Sequence, residues 1–265
     1  MSESLATSPA GPPLKWAGGK RWQVPHVSPY WKEVGGRRLV EPFAGGLAVA
    51  LGLMPERALL NDVNPHLINF YTWLKRGLVV AESFENDEKA YYLNRSRFNR
   101  LLETGEGSSA EAAGLFYYLN RTGYNGLCRF NRSGEFNVPF GRYRIINYRY
   151  DFTDYASVFA NWEFTTVSFR ELVLDPEDFV YADPPYDVEF TAYSKDGFGW
   201  EDQEATARWL ARHRGPVILS NQATERIMTL YESLGFKTVK FDAPRNISCT
   251  GDRSPAPEVL ATRNL

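Results

Sequence analysis

The chain has 265 residues, enough for one large domain or for one domain with a substantial insertion. Hydrophobic residues (43%) and charged residues (23%) occur in the proportions of an ordinary globular protein, and no apolar run is long enough to cross a membrane. The two cysteines, Cys128 and Cys249, cannot form a disulfide framework and lack metal-ligand spacing, so we expect a reducing, cytoplasmic setting and no metal site. Residues 1–12 have neither the basic start nor the apolar centre of a signal peptide, and we expect a disordered leader there.

The N-terminal part carries the outline of a nucleotide-binding βαβ unit. Arg38–Val40 is predicted to form a short buried strand that stops at Glu41-Pro42, and the glycine turn Phe43–Gly46 follows. A helix is predicted over Leu47–Met54, and Ala58–Asp62 is predicted to be a second strand with an acid at its end. The order of strand, glycine turn, helix, strand and acid is typical of folds that bind a nucleotide at the end of the first strand.

The middle of the chain is predicted to be helical and then to form loops. Apolar residues recur at helical spacing from Asn64 to Leu119, whereas glycine, asparagine and arginine dominate from Asn120 to Tyr150 and predict a loop or hairpin. The formal net charge is −2, but Leu119–Tyr150 carries +5, which leaves −7 for the remainder. This basic segment favours contact with a polyanion, and a merely solvated surface is an equally open explanation.

Strand signals return after residue 150 and alternate with helices. The predicted strands are Glu163–Val167, Phe179–Ala182, Val217–Ser220 and Phe236–Phe241, and the predicted helices are Gln203–His213 and Glu225–Leu234. Such alternation indicates an α/β sheet covered on both faces. We therefore expect one α/β domain built from residues 13–66 and 151–265, with a mainly helical insertion, residues 67–150, that contains a hairpin loop.

The sharpest chemical signal is Asp183-Pro184-Pro185-Tyr186, at the carboxyl end of a predicted strand, where open α/β sheets bind ligands. Taken alone the tetrapeptide could be a proline-rich turn. In this position it suits methylation of an exocyclic amine such as that of adenine, whose lone pair is delocalised into the ring. Asp183 and the Pro184 carbonyl can accept both N–H bonds, the prolines stiffen the loop, and Tyr186 offers a flat face to an extruded base.

This tetrapeptide is one of seven segments that follow, in the same order, the motifs of a known protein family. They are Leu14–Lys20, Val40–Gly46, Asn61–Asn64, Leu119–Asn131, Gly134–Tyr143, Asp183–Tyr186 and Leu219–Asn221. Together they resemble the Dam-type DNA adenine-N6 methyltransferases of the D12 class, with the alpha-group order in which the cofactor motif comes first. The resemblance runs from about Pro13 to about Ala261 and implies a Rossmann-like class I methyltransferase sheet that uses S-adenosylmethionine.

The resemblance also implies which residues bind the cofactor, and it assigns this role to Trp16, Lys20, Phe43, Gly45, Asp62, Phe169 and Asp183. Trp16 and Lys20 would hold the methionine end, and Phe43 with its glycines would let the backbone approach closely. Asp62 would accept hydrogen bonds from the ribose hydroxyls, although it could instead cap the following helix. Phe169 would pack on the adenine of the cofactor, with packing in the protein core an equally open role.

For DNA, the resemblance implies target contacts from Tyr124, Asn125, Leu127, Arg129, Pro139 and Arg142. An arginine fork suits the O6 and N7 atoms of guanine, and Tyr124 with Asn125 could fill the gap left by an extruded adenine. Lys15, Arg121 and Arg132 are expected on phosphates, which position the protein without specifying sequence. The expected substrate is double-stranded DNA methylated within GATC, and a single target-reading segment favours a monomer.

Two segments depart from the family pattern. The second glycine of the commonest family loop comes one residue later, where this chain has Leu47, so we expect the loop to differ in detail while still binding the cofactor. The stretch Arg245–Asp252 lacks the run of basic residues seen in some relatives, so fewer phosphate contacts are expected from that end.

Other functions stay open at this point. Cytosine-N4 methylation uses closely related motifs. Methylation of a protein glutamine usually replaces the aspartate by asparagine, and Asp183 and the arginine-bearing insertion argue against it. An inactive DNA-binding relative would tend to have lost one of Lys20, Asp62, Asp183 and Tyr186. A functional pairing with a restriction endonuclease and methylation at another short site remain undecided by the sequence.

Overall fold

A twisted sheet forms the centre of the protein. Within the described residues of the computed structural model, 11–80, 83–187, 197–243 and 256–265, seven strands join in one sheet. The strands are β1 (Leu39–Glu41), β2 (Ala58–Asn61), β3 (Trp162–Thr165), β4 (Phe179–Ala182), β5 (Val217–Gln222), β6 (Lys237–Ala243) and β7 (Ala256–Arg263). Their spatial order is β3-β2-β1-β4-β5-β7-β6.

The strand order places a switch point at β1. The five strands from β3 to β5 are parallel to one another, and β7 pairs antiparallel with both β5 and β6. Because β1 lies between β2 and β4, the segments that leave β1 and β4 emerge side by side at the carboxyl edge. Open α/β sheets bind their ligands at such a point. The predicted Rossmann-like α/β sheet is confirmed.

Helices cover both faces of this sheet. They are α1 (Val24–Val34), α2 (Ala48–Leu53), α3 (Pro65–Lys75), α4 (Glu88–Glu103), α5 (Ala110–Thr122), α6 (Thr153–Val158), α7 (Trp200–Ala211) and α8 (Glu225–Ser233). Neighbouring residues of a strand point to opposite faces, so Leu39 packs in the core beneath α1 to α3 while Val40 packs beneath α7 and α8. Both residues are fully buried, as expected for a parallel sheet covered on both sides.

The insertion between β2 and β3 is helical and rich in buried aromatic rings. Helices α3, α4 and α5 are capped at their N-termini by Asn64, Asp87 and Ser109, whose side chains accept hydrogen bonds from first-turn backbone N–H groups. A short hairpin follows α5, with Phe130 paired antiparallel to Phe136. The predicted helical insertion with a hairpin loop is therefore present.

Several element boundaries differ from the predictions. Helix α2 begins at Ala48 rather than Leu47, because Leu47 has a left-handed backbone (φ 58°) that cannot lie within a right-handed helix. Met54 (φ 49°) likewise falls outside α2. Helices α1 and α6 and strand β7 were not predicted. None of the helices among the described residues is both long and apolar enough to cross a membrane.

Parts of three sequence-based expectations fall outside the described residues. These are the first ten residues of the predicted leader, Cys249, and the stretch Arg245–Asp252. The end of the leader is described, and there the Gly11 carbonyl accepts a hydrogen bond of 2.5 Å from the Tyr155 hydroxyl.

Candidate active site and nucleic-acid interface

The Asp183–Tyr186 loop is held in place from three elements. Strand β4 is buried along its whole length and ends at Ala182, directly before Asp183. The side chain of Gln203, on α7, donates a hydrogen bond of 2.6 Å to the Pro185 carbonyl. Asn221, on β5, donates to Gln203 (2.9 Å) and accepts from the Asp187 backbone N–H (3.3 Å). A loop with two prolines and these buried partners has little freedom to move, which preorganises its acceptors.

Asp183 is paired on one side and open on the other. Its Oδ2 atom lies 3.2 Å from Nζ of Lys20, a buried lysine that also donates to the Gly18 carbonyl at 2.6 Å. Its Oδ1 atom is buried, and no described residue makes a hydrogen bond of ordinary length to it. An unpaired buried carboxylate oxygen is costly unless a ligand completes it. Ser220 also contributes a hydrogen bond that, against the larger effect of burial, lowers the pKa of Asp183 slightly. Oδ1 is the oxygen without a close partner, and it can accept from a bound amine.

Tyr186 presents its ring beside this pair. Nζ of Lys20 lies 4.4 Å from the centroid of the Tyr186 ring, so a single lysine contacts both the carboxylate and the aromatic face. The Tyr186 hydroxyl points away from the Lys20 contact and donates a hydrogen bond of 2.5 Å to Glu258. The ring is thus fixed at both its face and its hydroxyl end.

Buried acids dominate the charge of the site. Burial raises the pKa of Asp183 to about 6, although the neighbouring Lys20 lowers it. Burial raises the pKa of Glu41, at the end of β1, to about 8, and the Asp183 charge adds to this effect. The Oε1 atom of Glu41 is buried and has no hydrogen-bond partner among the described residues. Glu41 is therefore neutral near pH 7, and a cationic ligand bound beside these carboxyl groups would be stabilised by Asp183 and would favour the ionised form of Glu41.

The raised pKa of Glu41 predicts how stability depends on pH. The unfolded chain releases this proton near its ordinary pKa of about 4.5, whereas the folded protein holds it up to about pH 8. Between these values the folded state binds more protons, so the free energy of unfolding falls as pH rises, by about 1.4 kcal/mol per pH unit. The neutral variant Glu41→Gln should lose this slope.

Urea unfolding at pH 6 and pH 8 measures the effect. The wild-type protein should lose roughly 2–3 kcal/mol more than Glu41→Gln over this range. The exposed substitution Glu33→Gln, on α1, is the control and should keep the wild-type slope. Equal slopes for wild type and Glu41→Gln would show that Glu41 ionises normally in the folded protein.

The glycine turn after β1 packs against Trp16. A Cβ atom on Gly45 (φ 46°) would lie 2.9 Å from Nε1 of Trp16, and one on Gly46 would lie 2.8 Å from Cβ of Trp16. Only glycine at both positions lets the indole lie this close to the backbone. The Gly45 N–H donates to Oδ2 of Asp62 at 3.1 Å. The predicted Trp16, Gly45 and Asp62 are therefore brought together at the ends of β1 and β2.

Asp62 orders the loop that leads to α3, but the cap of that helix is a different residue. Oδ1 of Asp62 accepts from the Asn64 backbone N–H at 2.9 Å. Asn64 caps α3, since its Oδ1 accepts from the N–H groups of His66 and Leu67. The alternative role considered for Asp62, direct capping of α3, is therefore wrong. Burial raises the pKa of the Asp62 carboxyl above its ordinary value.

Phe43 and Phe169 lie together at the same edge of the sheet. Their ring centroids are 5.7 Å apart, and Phe198 completes a cluster with each of them, at 5.6 and 6.0 Å. Phe169 is 5% exposed, whereas Phe43 is only partly buried. The exposed part of the cluster, chiefly Phe43, is an apolar surface of a kind that suits a flat heterocycle.

The two matched segments of the insertion run side by side. The Tyr124 backbone N–H donates to the Pro139 carbonyl at 2.9 Å, and Gly141 donates to the Thr122 carbonyl at 2.9 Å. Tyr124 is half exposed at this edge, and its neighbour Asn125 adopts a left-handed backbone (φ 52°). Predicted DNA-contacting residues from both segments therefore share one surface.

Lys15 connects this surface to the N-terminal segment. Its backbone exchanges hydrogen bonds with the side chain of Asn120, at 2.9 and 2.8 Å. Its Nζ donates to the Arg121 carbonyl (3.0 Å) and lies 3.6 Å from the centroid of the Tyr143 ring. Partial burial, with help from the Arg121 charge, lowers the pKa of Lys15 to about 8. Lys15 is thus tied to the insertion, with a side chain that is partly buried and partly accessible at this surface.

The arginines of this surface differ in how they are held. Arg129 is exposed, but its Nε donates to Oδ1 of Asn137 (2.8 Å) and its Nη2 donates to the Asn137 carbonyl (3.2 Å). Arg132 is exposed in the hairpin turn, and Arg142 is exposed with a left-handed backbone (φ 52°), 3.6 Å from Glu88. Leu127 is partly buried, and Arg121 has a buried Nε atom with no described partner. Arg129 is therefore the arginine with the most fixed orientation.

Sequence reasoning missed some polar residues of the site. Glu258 and Gln23 lie beneath Tyr186, and Gln203 holds the Pro185 carbonyl. Gln203 was predicted to be helical but had no assigned role. Glu258 is on the unpredicted strand β7 and Gln23 precedes the unpredicted helix α1, so no local pattern directed attention to either.

This geometry agrees with the relationship of the chain to known proteins. Residues 16–247 match the family model described as D12 class N6 adenine-specific DNA methyltransferase. The chain belongs to this family. The Retron Ec67 DNA adenine methylase of Escherichia coli is 37% identical, over 94% of this chain and 90% of that protein. The DNA adenine methylases of Vibrio cholerae (strain O395) and Escherichia coli (strain K12) are 37% and 35% identical, over 94% of this chain and 94% and 93% of their own lengths.

Membership in the D12 family establishes the class of reaction. The protein is an adenine-specific DNA methyltransferase that acts on DNA and requires a methyl donor. The sequence-based predictions of family, enzyme class and Rossmann-like fold are confirmed. The coarse predictions of a methyl donor and of DNA as the substrate are confirmed as well.

Proposed function

We propose that this D12 methyltransferase transfers a methyl group from S-adenosylmethionine to N6 of the adenine in GATC, after the adenine has turned out of the duplex. The observation that carries the proposal is the environment of Asp183: Lys20 pairs with one oxygen, the other is open, and the Tyr186 ring lies alongside. An open acceptor beside an aromatic face suits an extruded base that carries an amino group.

The proposed chemistry needs acceptors rather than an acid or a base. Oδ1 of Asp183 and the Pro184 carbonyl accept the two N–H bonds of the amine, and this directs the nitrogen lone pair towards the methyl group. The bound cofactor would supply an electrophilic methyl group, with the electron pair of the broken carbon–sulfur bond left on sulfur. The newly methylated nitrogen would be cationic and would release one N–H proton to water. Tyr186 stacks on the base and compensates part of the few kcal/mol that extrusion costs.

The residues present fit S-adenosylmethionine. Its sulfonium and ammonium groups are cationic, and Glu41, Asp62 and Asp183 supply an excess of buried carboxyl groups over the single Lys20. Asp62 would accept the ribose hydroxyls, and the cluster around Phe43 and Phe169 would take the adenine ring. Trp16, Lys20 and the backbone at Gly45 would line the methionine end.

For target recognition we propose the surface formed by the two matched segments of the insertion. Arg129 would read a guanine, with Leu127, Pro139 and Arg142 beside it, because its guanidinium still has N–H groups to donate after Asn137 has accepted two. Tyr124 and Asn125 would occupy the space left by the extruded adenine. The remaining candidates are expected on phosphates, and they are Lys15, Arg121 and Arg132.

This proposal assigns residues 67–150 to target recognition and residues 13–66 with 151–265 to cofactor binding and catalysis. A single target-reading surface favours a monomer on DNA.

Transfer of labelled methyl from S-adenosylmethionine to two short duplexes tests the proposal. One duplex contains GATC, and the other contains GTTC in its place. We expect label on the first alone, recovered as N6-methyladenine. Label on both would retain the enzyme class and discard the target. If neither is labelled, unmethylated genomic DNA as substrate distinguishes another target sequence from an inactive protein.

A further inference from the structure

The Tyr186 hydroxyl belongs to a buried network of hydrogen-bonded polar side chains. The Tyr186 hydroxyl donates to Oε2 of Glu258 at 2.5 Å, across 72 residues of sequence. The same oxygen accepts from Nε2 of Gln23 at 3.1 Å. Gln23 is fully buried, donates also to Oγ of Ser220 (2.8 Å), and accepts from the Tyr181 hydroxyl (2.6 Å). Every group in this network therefore has a partner that fixes its orientation.

Packing alone does not explain a carboxylate at this position. Glu258 is 9% exposed, and the next three residues of β7, Val259–Ala261, are buried and apolar. Burying a charge is unfavourable, and an apolar side chain of similar volume would fill the space at lower cost. The charge is located instead where it accepts the hydroxyl proton of Tyr186.

The geometry defines what this hydrogen bond can do. A phenol oxygen lies on the axis about which the ring turns, so the bond to Glu258 fixes the location of the ring and not its rotation about that axis. Rotation of the ring about that axis is limited instead by Lys20, whose Nζ lies 4.4 Å from the ring centroid. A carboxylate acceptor also makes the ring richer in electrons, which strengthens its attraction to a cation.

We infer that Glu258 is a positioning residue of the methyltransfer reaction, which holds the Tyr186 ring where an extruded adenine stacks. The inference rests on the proposed role of Tyr186 as the stacking face. Glu258 acts on the base through Tyr186, and Gln23 orients Glu258. Besides burial, the Glu258 charge also raises the pKa of Asp183, so the rates are compared well above pH 6, where Asp183 is ionised in every variant. A carboxylate that merely tied β7 to the segment before α1 would make the same contact with Gln23 but would have no coupling to Tyr186.

A double-mutant cycle tests this inference on the full-length protein. The variants are Glu258→Gln, Tyr186→Phe and the double substitution, with the exposed Glu171→Gln as control. Single-turnover methylation of unmethylated plasmid DNA gives a rate constant that does not depend on the fraction of folded enzyme, because unfolded protein lowers only the amplitude. Any loss of folding is thereby separated from slower chemistry.

We expect Glu258→Gln to slow methyl transfer about five- to tenfold, the difference between a charged and a neutral acceptor. The KM for S-adenosylmethionine should stay within about twofold, because Glu258 contacts the ring and not the cofactor. In the Tyr186→Phe background the same substitution should have less than about a twofold effect, since coupled residues are not additive. An unchanged rate in Glu258→Gln, or the same reduction in both backgrounds, would overturn the inference.

A second measurement keeps this inference separate from the proposed target. A GATC duplex with 2-aminopurine at the adenine should gain fluorescence with wild-type enzyme, and less with Glu258→Gln. If wild type methylates plasmid DNA but gives no fluorescence gain, the proposed GATC target or base extrusion fails, while the plasmid cycle still decides the role of Glu258. A full fluorescence gain with Glu258→Gln would contradict the role of Glu258 in holding the ring.

Discussion

Replacing Asp183 with alanine is expected to lower the rate of methyl transfer by about a hundred- to a thousandfold or more, the effect of removing one preorganised group that stabilises a transition state. The physical reason is that the amine of adenine is a poor nucleophile until its N–H bonds are accepted. Lys20 cannot take over this role, since an ammonium group only donates. Single-turnover transfer of labelled methyl measures the loss.

The substitution Asp183→Asn tests whether the negative charge of the acceptor matters, because asparagine has nearly the same shape as aspartate but is neutral. Asparagine keeps one acceptor oxygen but is neutral, and its amide nitrogen would meet either Lys20 or the incoming amine, both of them donors. We therefore expect it to be nearly as slow as the alanine variant. The exposed Asp242→Ala, on β6, serves as the control and should retain wild-type rates. Retained turnover in Asp183→Ala would remove Asp183 from its proposed role.

The same carboxylate predicts how activity depends on pH. Burial raises the pKa of Asp183 to about 6, and the ionised form is the one that pairs with Lys20 and is the stronger hydrogen-bond acceptor for the amine. In the free enzyme kcat/KM should therefore fall as pH decreases through about 6, approaching about tenfold per pH unit below it. A bound cationic cofactor should move the fall in kcat to lower pH. A kcat/KM that is flat from pH 7 to pH 5 would show that the ionisation of Asp183 does not limit the reaction.

The elements that the sequence predicted well are those bounded by strong local signals. β4 was predicted with its observed limits because four apolar residues end at an acid and two prolines. Helix α1 was missed because it contains Pro29, a residue expected to interrupt a helix. Strand β7 was missed because its pairing with β5 and β6 is non-local, and its buried run Val259–Ala261 has no alternation of polar and apolar residues.

Leu47 shows how a departure from the family pattern can be accommodated. The common family loop has glycine there, and the observed φ of 58° is a conformation that glycine adopts without strain. Leu47 is fully buried, and burying a leucine side chain contributes about 1.5–3 kcal/mol, against about 1–2 kcal/mol for left-handed strain. Burial thus offsets the strain, and the turn at Gly45 keeps its contact with Trp16.

The residues of the site were predicted one at a time, but their pairing was not. Motifs in the sequence singled out Lys20, Asp183 and Tyr186, yet nothing local indicated that one lysine contacts both of the others. Such contacts depend on which strands are neighbours in the sheet. Glu258 illustrates the same limit, since an acid in an unpredicted strand has no motif to mark it.

Replacing Arg129 with alanine is expected to relax target selectivity about ten- to a hundredfold, the discrimination that one bidentate arginine–guanine contact provides. Asn137 accepts hydrogen bonds from Nε and Nη2 and so fixes the plane of the guanidinium, which leaves Nη1 and one further N–H for a base. A fixed fork loses little entropy on binding, and this is the physical reason to expect selectivity from Arg129 in particular. Competition between GATC duplexes and duplexes with one base pair changed measures the ratio of kcat/KM values.

Arg132→Ala is the matched comparison, because Arg132 lies in the same hairpin and is exposed. Removing a phosphate contact should weaken binding to all duplexes alike and reduce the slope of log K against log salt by about 1. Arg129→Ala should instead change the ratio between sequences while the rate on the preferred site falls less. Since both variants lose one positive charge from one loop, a change of selectivity confined to Arg129→Ala cannot come from charge alone. Unchanged selectivity in Arg129→Ala would mean that another residue of the insertion reads the guanine.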